Sequence, residues 1–389
     1  MQKGTIVYIG GFELPDKNAA AHRVISNAKI FSELGYRVAF IGVDKDAPEE
    51  FQGSPIKSSI NGYEVWNFSY PKTNKQWIRY LTEAKSTIDL LKNYNDLKVV
   101  ILYNYQSIPF IKIKNYCGKN NIRIIADCTE WYDFTSRGTI HKLIKGFDTF
   151  LRMRILQKRV DGLILISSYL KKYYGNVPKS VLIPPLVDKN EEKWKKEGND
   201  LLKDKINMVY AGSPSLNKDK INHVINALYN LRNYSFEYTF YIIGLNKKEF
   251  LSSYPELTVK IQEIKDNIKF LGRLSHLDSL RYVKNADYTI FIRENSRMTK
   301  AGFPTKFVES ISAGTPTVTT NTSDLYNYIN DGKNGILIKL IDINEIELTL
   351  KNILQCELDD VRKRKNLVQS DIFDFHRYKR DFEEFFQDI

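Results

Sequence analysis

Several residue types and patterns are scarce in this chain of 389 residues. It has three cysteines, Cys117, Cys128 and Cys356, and they lie too far apart in sequence to form a metal-binding pair. No apolar stretch approaches the length of a membrane span, and the apolar run near the N-terminus is too short for a signal peptide. We therefore expect a chain with reduced cysteines that is located in the cytoplasm.

Two phosphate-binding fingerprints are also missing. The chain contains no Gly-x-Gly, which argues against a nicotinamide-dependent enzyme, and no Gly-x4-Gly-Lys-Ser/Thr, which argues against a phosphate-loop ATPase. No cluster of carboxylates has the spacing of a metal site, so we expect an activity that needs no metal ion and no cofactor.

The composition is that of a globular protein, with 42% hydrophobic and 27% charged residues, and the length favours two domains. The net charge of +12 is distributed unevenly, since residues 1–185 hold 27 Lys and Arg against 16 Asp and Glu. Such an excess suits an anionic partner such as nucleic acid, a lipid surface or a phosphorylated acceptor.

Two series of short apolar runs alternate with helical patterns, which predicts two α/β domains with parallel sheets. The predicted domains are residues 1–185 and 186–370, followed by an amphipathic helix in 371–389 that we expect to return to the first domain. Ligands bind at the carboxyl ends of strands in such sheets. The strand candidates are residues 5–11, 37–43, 98–104, 122–128, 161–167, 206–212, 238–244, 268–272, 287–293, 315–320 and 335–339.

The segment KAGFPTKFVESISAGTPTV, residues 300–318, predicts a short helix that starts at Pro304 and ends before Gly314. Its apolar residues recur at helical spacing. A helix N-terminus has unpaired N–H groups and a partial positive charge, so it can hold a phosphate.

In this order and spacing the motifs resemble the retaining glycosyltransferases of family 4, which have the GT-B fold of two Rossmann-like domains facing each other across a cleft. The family signature has two glutamates separated by seven residues, a Gly-Phe-Gly after the first and a Gly-x-Pro beyond the second. Here Glu309 matches the second glutamate and Gly314-Thr315-Pro316 follows it, whereas Ala301 replaces the first glutamate. The two-proline segment IPPLVD resembles the family's interdomain crossing, and the resemblance covers nearly the whole chain.

The resemblance implies that Glu309 accepts hydrogen bonds from the ribose hydroxyls of a sugar nucleotide. It also implies a diphosphate site on the turn before the helix and its first residues. Alternatively, Glu309 only complements the dipole of its helix as a carboxylate near the N-terminus. Lys306 could likewise be an ordinary lysine on the solvated surface. The residues of this turn are Gly302, Phe303, Pro304, Thr305 and Lys306.

The loop after the first strand of the second domain starts at Gly212. By the resemblance, Lys218 matches the family's lysine and is a candidate catalytic and donor-binding residue, while Ser213 stands where an arginine is usual. We interpret Arg293 as a substitute for that missing cation, with Arg297 as the alternative.

In the first domain, Gly10 and Gly11 end a strand and permit close approach of a ligand, so both are assigned to donor binding. The family's cleft histidine is absent from the segment ADCTEWYD. We expect Asp127 or Glu130 to face the acceptor as a catalytic group, although structural hydrogen bonding of a buried Asp127 remains open. His22 is another candidate for the cleft.

The segment 136–160 has seven Lys and Arg against one acid, Asp148, together with an apolar stripe. This composition fits a helix at an anionic membrane surface, and a solvated core helix is the alternative.

The resemblance thus implies a retaining glycosyltransferase that uses a UDP- or GDP-sugar, requires no metal, and acts on a glycan or lipid-linked acceptor in capsule, O-antigen or exopolysaccharide assembly. The enzyme would lie in the cytoplasm or on the inner face of the cell membrane. In the usual proposal for such enzymes, the leaving diphosphate helps to remove the acceptor proton.

A non-catalytic polyanion- or nucleotide-binding protein is the alternative, although the chain lacks the motifs of RNA-binding sheets and we expect no nucleic acid partner. A sugar-nucleotide epimerase is a third possibility, but such enzymes normally carry the glycine-rich nicotinamide fingerprint that this chain lacks.

Overall fold

The computed structural model describes residues 2–47, 54–131, 139–176, 178–195, 201, 204–212, 219–339 and 341–389, with the backbone alone for residues 139–143. These residues divide into two compact units. The first comprises Met1–Val187 with Phe375–Ile389, and the second comprises Asp188–Asp374.

The first unit contains one sheet of eight strands. The strands are β1 (Thr5–Gly10), β2 (Arg37–Asp44), β3 (Ile56–Ile60), β4 (Tyr63–Ser69), β5 (Leu97–Tyr103), β6 (Arg123–Cys128), β7 (Gly162–Leu165) and β8 (Lys179–Leu182). Their order is β3-β4-β2-β1-β5-β6-β7-β8, and β3 with β4 is the antiparallel pair. All six residues of β1 are buried, as expected for a strand near the centre of a parallel sheet.

Helices flank this sheet in the order expected for alternating strands and helices. They are α1 (Ala19–Glu33), α2 (Asn74–Thr82), α3 (Lys85–Leu91), α4 (Ser107–Lys119), α5 (Thr139–Leu151) and α6 (Ser168–Tyr174).

The second unit contains a sheet of six parallel strands. They are β9 (Ile206–Ala211), β10 (Tyr238–Ile243), β11 (Ile268–Gly272), β12 (Tyr288–Phe291), β13 (Thr317–Thr320) and β14 (Gly335–Ile338). Their order is β11-β10-β9-β12-β13-β14, so the chain changes direction across the sheet between the neighbours β9 and β12. This is the kind of position where α/β sheets bind ligands.

The helices of the second unit follow the same alternation. They are α7 (Glu192–Lys195), α8 (Ile221–Asn230), α9 (Lys247–Ser253), α10 (Thr258–Glu263), α11 (His276–Asn285), α12 (Arg297–Ala301), α13 (Thr305–Ser312), α14 (Ile343–Leu354) and α15 (Leu358–Lys363).

The last helix, α16 (Lys379–Asp388), packs on the first unit through phenylalanines. The rings of Phe382 and Phe386 lie 4.9 and 5.4 Å from the ring of Phe31 on α1. Phe385 occupies the space that a Cβ on Gly162 would need at the start of β7. Aromatic edge-to-face packing therefore joins the end of the chain to the core of the first unit.

Candidate functional site

The candidate site of the second unit is built at the carboxyl ends of β9 and β12. Gly212 follows β9 and Arg293 follows β12 by two residues. Asp219, after the loop that leaves β9, forms an isolated bridge with Arg293, and the Lys220 N–H donates to the Ile292 carbonyl at 2.8 Å. These contacts bring together chain segments that are more than seventy residues apart in sequence.

A buried carboxylate, that of Asp219, organises the charges at this position. Arg293 Nε donates to Asp219 Oδ1 at 3.0 Å, and Lys306 Nζ donates to Asp219 Oδ2 at 2.5 Å. The Tyr210 hydroxyl donates to the same Oδ2 at 2.8 Å. Because the Asp219 side chain is only 2% exposed, these three donors satisfy a charge that would otherwise be costly to bury. With all three groups ionised, the Asp219–Arg293–Lys306 triad carries a net charge of +1.

The pKa values of the triad reflect burial and pairing. Burial raises the pKa of Asp219, but Lys306 and Arg293 outweigh burial and hold the pKa below 3.8. Burial also lowers the pKa of Lys306, and Arg293 adds to this effect whereas Asp219 opposes it. Asp219 therefore stabilises two cations that would repel each other without it.

The backbone at Gly212 makes room for Lys306. Gly212 has φ +146°, and a Cβ at this position would lie 3.0 Å from Lys306 Nζ and nearer still to Cε. The Lys306 ammonium also lies 5.0 Å from the centroid of the Tyr210 ring, a cation–π distance. Glycine at position 212 thus suits the backbone conformation, and an added Cβ would force the Lys306 side chain to shift.

Helix α13 confirms the predicted short helix, with Pro304 as the residue that precedes its first turn. Thr305 and Lys306 begin the helix, so their N–H groups belong to the first turn, where no helical carbonyl is available. Gly314 has φ +77° just past the last turn, as expected at a helix C-terminus. The helix N-terminus therefore adds partial positive charge next to the Asp219–Arg293–Lys306 triad.

Phe303 and Gly302 have structural contacts. Phe303 is 7% exposed, and its ring lies 5.6 Å from that of Tyr328 and 5.9 Å from that of Phe373. The Gly302 carbonyl accepts a hydrogen bond from the Ser323 hydroxyl at 2.5 Å. Core packing and this hydrogen bond hold the turn that leads into α13.

Glu309 lies one turn after Lys306 on α13, with 28% of its side chain exposed. His276 Nε2, at the start of α11, lies 3.2 Å from Glu309 Oε1. The carboxylate thus has a defined orientation and remains accessible from solvent.

The position of the missing first glutamate, Ala301, ends α12 and is completely buried. The alanine methyl group can neither accept a hydrogen bond nor carry a charge. Position 301 therefore presents no side chain to a ligand.

Two predicted site residues, Ser213 and Lys218, lie outside the described residues. Sequence reasoning missed Asp219, Tyr210 and His276. Asp219 stands in the run NKDK, which has the composition of a solvated loop, so its burial had no local signal. His276 follows the predicted strand 268–272 and begins a helix in which the sequence shows no functional motif. Nothing in the sequence near His276 therefore marked it as a site residue.

In the first unit, Asp127 is completely buried at the end of β6. Arg23 Nη2 donates to Asp127 Oδ1 at 2.8 Å, and the Tyr8 hydroxyl donates to Oδ2. Arg23 Nη1 also donates to the carbonyl oxygens of Ile183 and Pro184 at 2.9 and 3.3 Å. These contacts favour the structural alternative for Asp127 over an acceptor-facing catalytic group.

The other first-unit candidates differ in exposure. Glu130 is exposed beyond β6, and His22 is half-buried on α1. A Cβ on Gly10 would lie 2.8 Å from Tyr103 Cβ, so strand packing already explains the absence of a side chain there, whereas Gly11 is exposed.

Among the described residues, no group of three or more His, Cys, Asp or Glu side chains is arranged to hold a metal ion. None of the helices in the described ranges combines the length and the apolar character needed to cross a membrane.

The candidate site lies in a part of the chain that matches a known protein family. Residues 205–356, which include the Asp219–Arg293–Lys306 triad, match the family model described as Glycosyl transferases group 1. No curated protein matches the sequence.

Solved structures match nearly the whole chain at low sequence identity. The sucrose-phosphate synthase from Thermosynechococcus elongatus has a TM-score of 0.69 at 12% identity, covering 99% of this chain and 98% of its own. The Anabaena protein HepE, solved in complex with UDP-glucose, has a TM-score of 0.66 at 14% identity, with coverages of 99% and 100%. The α,α-trehalose 6-phosphate synthase from Burkholderia multivorans has a TM-score of 0.68 at 10% identity, with coverages of 100% and 98%.

The predicted fold, GT-B with two Rossmann-like α/β domains, is confirmed by these likenesses and by the two sheets. The family-model match over residues 205–356 supports a glycosyltransferase.

Proposed function

We propose that the protein is a retaining glycosyltransferase that moves a sugar from a nucleoside-diphosphate donor to an acceptor hydroxyl. The observation that carries this proposal is the position of Lys306 and Arg293 at the carboxyl ends of β9 and β12, beside the N-terminus of α13. HepE, a structure of the same fold, binds UDP-glucose, which makes UDP the first donor base to test.

The charges of the site suit a leaving diphosphate. When the bond between the anomeric carbon and the β-phosphate oxygen breaks, negative charge grows on that oxygen. The net positive triad and the N–H groups of the first turn of α13 are fixed before the reaction, so they stabilise this charge without reorganisation. These groups supply the neutralisation that a metal ion would otherwise provide, and we propose that the reaction is metal-independent.

Glu309 would orient the nucleoside. An ionised carboxylate accepts both vicinal hydroxyl protons of a ribose, and Glu309 is placed one helical turn from the proposed phosphate site. His276 holds the carboxylate in place at 3.2 Å.

In the transfer step, the acceptor oxygen would bond to the anomeric carbon on the face that the diphosphate leaves. The acceptor proton would pass to the leaving phosphate oxygen, which gives retention of the anomeric configuration. We propose that the acceptor belongs to surface polysaccharide assembly. We also propose that the exposed Glu130 contributes to the transfer of the sugar.

The test is thermal unfolding of the full chain with UDP, GDP, TDP, CMP and NAD, repeated on Glu309→Ala. One nucleoside diphosphate should raise the midpoint by linkage, and Glu309→Ala should abolish the shift. Glu256→Ala, an exposed glutamate of the same unit, is the control and should keep the shift. Absence of a shift with every nucleotide would contradict the proposal.

Catalysis is tested separately by incubating the protein with UDP-sugars and following release of UDP. Since Ala301 supplies no carboxylate, a non-catalytic nucleotide-binding protein is the alternative. It would show the thermal shift with UDP but no turnover of any UDP-sugar. Salt-sensitive binding to random DNA without a nucleotide effect would instead indicate a polyanion-binding protein.

We further propose that the acceptor is lipid-linked and that α5 contacts the inner face of the membrane. Ile144, Phe147 and Phe150 on this helix are 54%, 66% and 51% exposed. Lys145 lies on the same helix, and the Arg154 guanidinium lies 5.6 Å from the centroid of the Phe150 ring. Exposed aromatic rings next to cations suit the headgroup region of an anionic bilayer.

A further inference from the structure

The first unit contains a second candidate site, a cavity of about 410 Å³. It is bounded by the end of β4, the first turns of α2, the start of α3 and Tyr105, which follows β5. Its volume falls within the range of roughly 300–1,000 Å³ that small-molecule sites occupy. None of the residues assigned to nucleotide binding lines this cavity.

The wall of the cavity is aromatic, with Phe68, Tyr70, Tyr80 and Tyr105. Tyr70 and Tyr80 are held by Trp77, whose ring meets theirs edge to face at centroid distances of 5.4 and 5.8 Å. This packing fixes two aromatic groups without filling the cavity.

The phenols of the wall are neutral polar groups. Burial raises the pKa of Tyr80, an effect that a hydrogen bond with Gln106 partly opposes. Burial likewise raises the pKa of Tyr105, against a hydrogen bond with Thr87. Both hydroxyls therefore stay protonated at neutral pH and can exchange hydrogen bonds with a ligand hydroxyl.

The rim of the cavity is basic. It carries Lys72, Lys75, Arg79 and Lys85 against one carboxylate, Glu83. Arg79 Nε pairs with Glu83 Oε2 at 2.7 Å, whereas the three lysines have no ion-pair partner among the described residues. The three exposed lysines thus make the rim net positive, and Asp46 and Asp89 act on Lys72 and Lys85 only from beyond ion-pair distance.

We propose that this cavity binds a sugar residue that carries a phosphate or a carboxylate. Aromatic faces pack against the C–H faces of a pyranose ring, neutral phenols bond its hydroxyls, and the lysines pair with its charged group. A neutral sugar would leave the lysines unpaired, and a simple anion would leave the aromatic wall uncovered. If the proposed function holds, the charged sugar bound in this cavity is part of the acceptor.

The test measures binding of sugars to the full chain without any donor, by titration calorimetry and ligand-observed NMR. The probes are glucose 6-phosphate and glucuronic acid, with glucose and inorganic phosphate as the uncharged and the sugar-free comparisons. At least one of the two anionic sugars should bind about tenfold or more tightly than both comparisons, since the ring and the charge each contribute. The anionic sugar that binds more tightly identifies the charged group.

The variant Lys72→Gln/Lys75→Gln should weaken binding of that sugar by about tenfold, and added salt should weaken binding to the native chain. The matched control is Lys171→Gln/Lys172→Gln, two exposed lysines on α6 that do not line the cavity, and its affinity should be unchanged.

Three results would overturn the proposal: binding of neither anionic sugar, equal binding of glucose, or equal binding of inorganic phosphate. An unchanged affinity in Lys72→Gln/Lys75→Gln would overturn it as well. Because no donor is present, a missing nucleotide site would leave these results unaffected. Conversely, a UDP-dependent thermal shift combined with no sugar binding would remove the cavity proposal and leave the proposed function intact.

Discussion

Any side chain at position 212 would displace the Lys306 side chain. The Lys306 side chain passes over the Gly212 backbone on its way to Asp219, and a Cβ on residue 212 would meet Lys306 Cε and Nζ. The positive φ of Gly212 adds a second reason for glycine. One residue at the end of a strand therefore controls the position of a cation in the proposed donor site.

Gly212→Ala should lower both stability and nucleotide affinity. The strained backbone should cost about 1–3 kcal/mol in the free energy of unfolding, and displacement of Lys306 should weaken UDP binding about tenfold. Urea unfolding and calorimetry measure the two effects. Gly332→Ala is the control, because Gly332 also has positive φ but an added Cβ meets no described atom within 4 Å. Equal loss of UDP affinity in both variants would show that Lys306 is not the cause.

Asp219→Asn should destabilise the second unit because it leaves Lys306 and Arg293 without their buried counter-charge. Breaking such a pair costs about 3–5 kcal/mol. The folded pKa of Asp219 is lowered, so its contribution to stability is present above the unfolded pKa of 3.8 and is lost as the pH falls through the folded value. The difference in unfolding free energy between the native chain and the variant should therefore be constant above about pH 5 and shrink below pH 3.8.

Urea unfolding at a series of pH values measures this difference. A difference that persists unchanged into the most acidic buffers would contradict the role of the Asp219 charge. Glu237→Gln, which removes an exposed carboxylate paired with Lys205, should show only a small effect throughout.

Asp127→Asn should reduce stability rather than turnover. The substitution removes the charge that compensates buried Arg23, which should cost about 3–5 kcal/mol in the free energy of unfolding. Arg23→Met should cost a similar amount because it breaks the same pair from the other side. Under conditions where the variants are folded, kcat should stay within about threefold of the native value. A loss of about a hundredfold or more would instead support the catalytic role expected from the sequence.

Phe147→Ser/Phe150→Ser should reduce binding to vesicles of anionic lipid by about tenfold or more, since both rings supply the apolar contact. Sedimentation with vesicles measures the bound fraction. The control Val259→Ser/Leu348→Ser removes two apolar side chains of similar exposure, 66% and 58%, from the second unit and should bind as the native chain does. Equal binding of all three proteins would contradict a membrane contact through α5.

The strands illustrate what local sequence can predict. All eleven strand candidates are strands whose ends differ from the prediction by at most two residues. The missed strands are β3, β4 and β8. β3 reads IKSSI and has three exposed residues at its centre, so it lacked the apolar run that marks a buried strand.

The candidate site was predictable to a smaller extent. The start of α13 and the placement of Glu309 followed from Pro304, the helical spacing and Gly314, all within one short segment. The burial of Ala301 and the core packing of Phe303 depend on residues elsewhere in the fold, so neither could be inferred from the motif.

The sequence by itself determined the local elements, because apolar periodicity and glycine or proline at element ends act over a few residues. Only the tertiary structure decided which charges are buried together. Asp219 meets Lys306 across 87 residues, and Asp127 meets Arg23 across 104. An unpaired carboxylate is costly to bury, and at Asp219 and Asp127 the chain path, rather than the adjacent residues, selects the cation that compensates it.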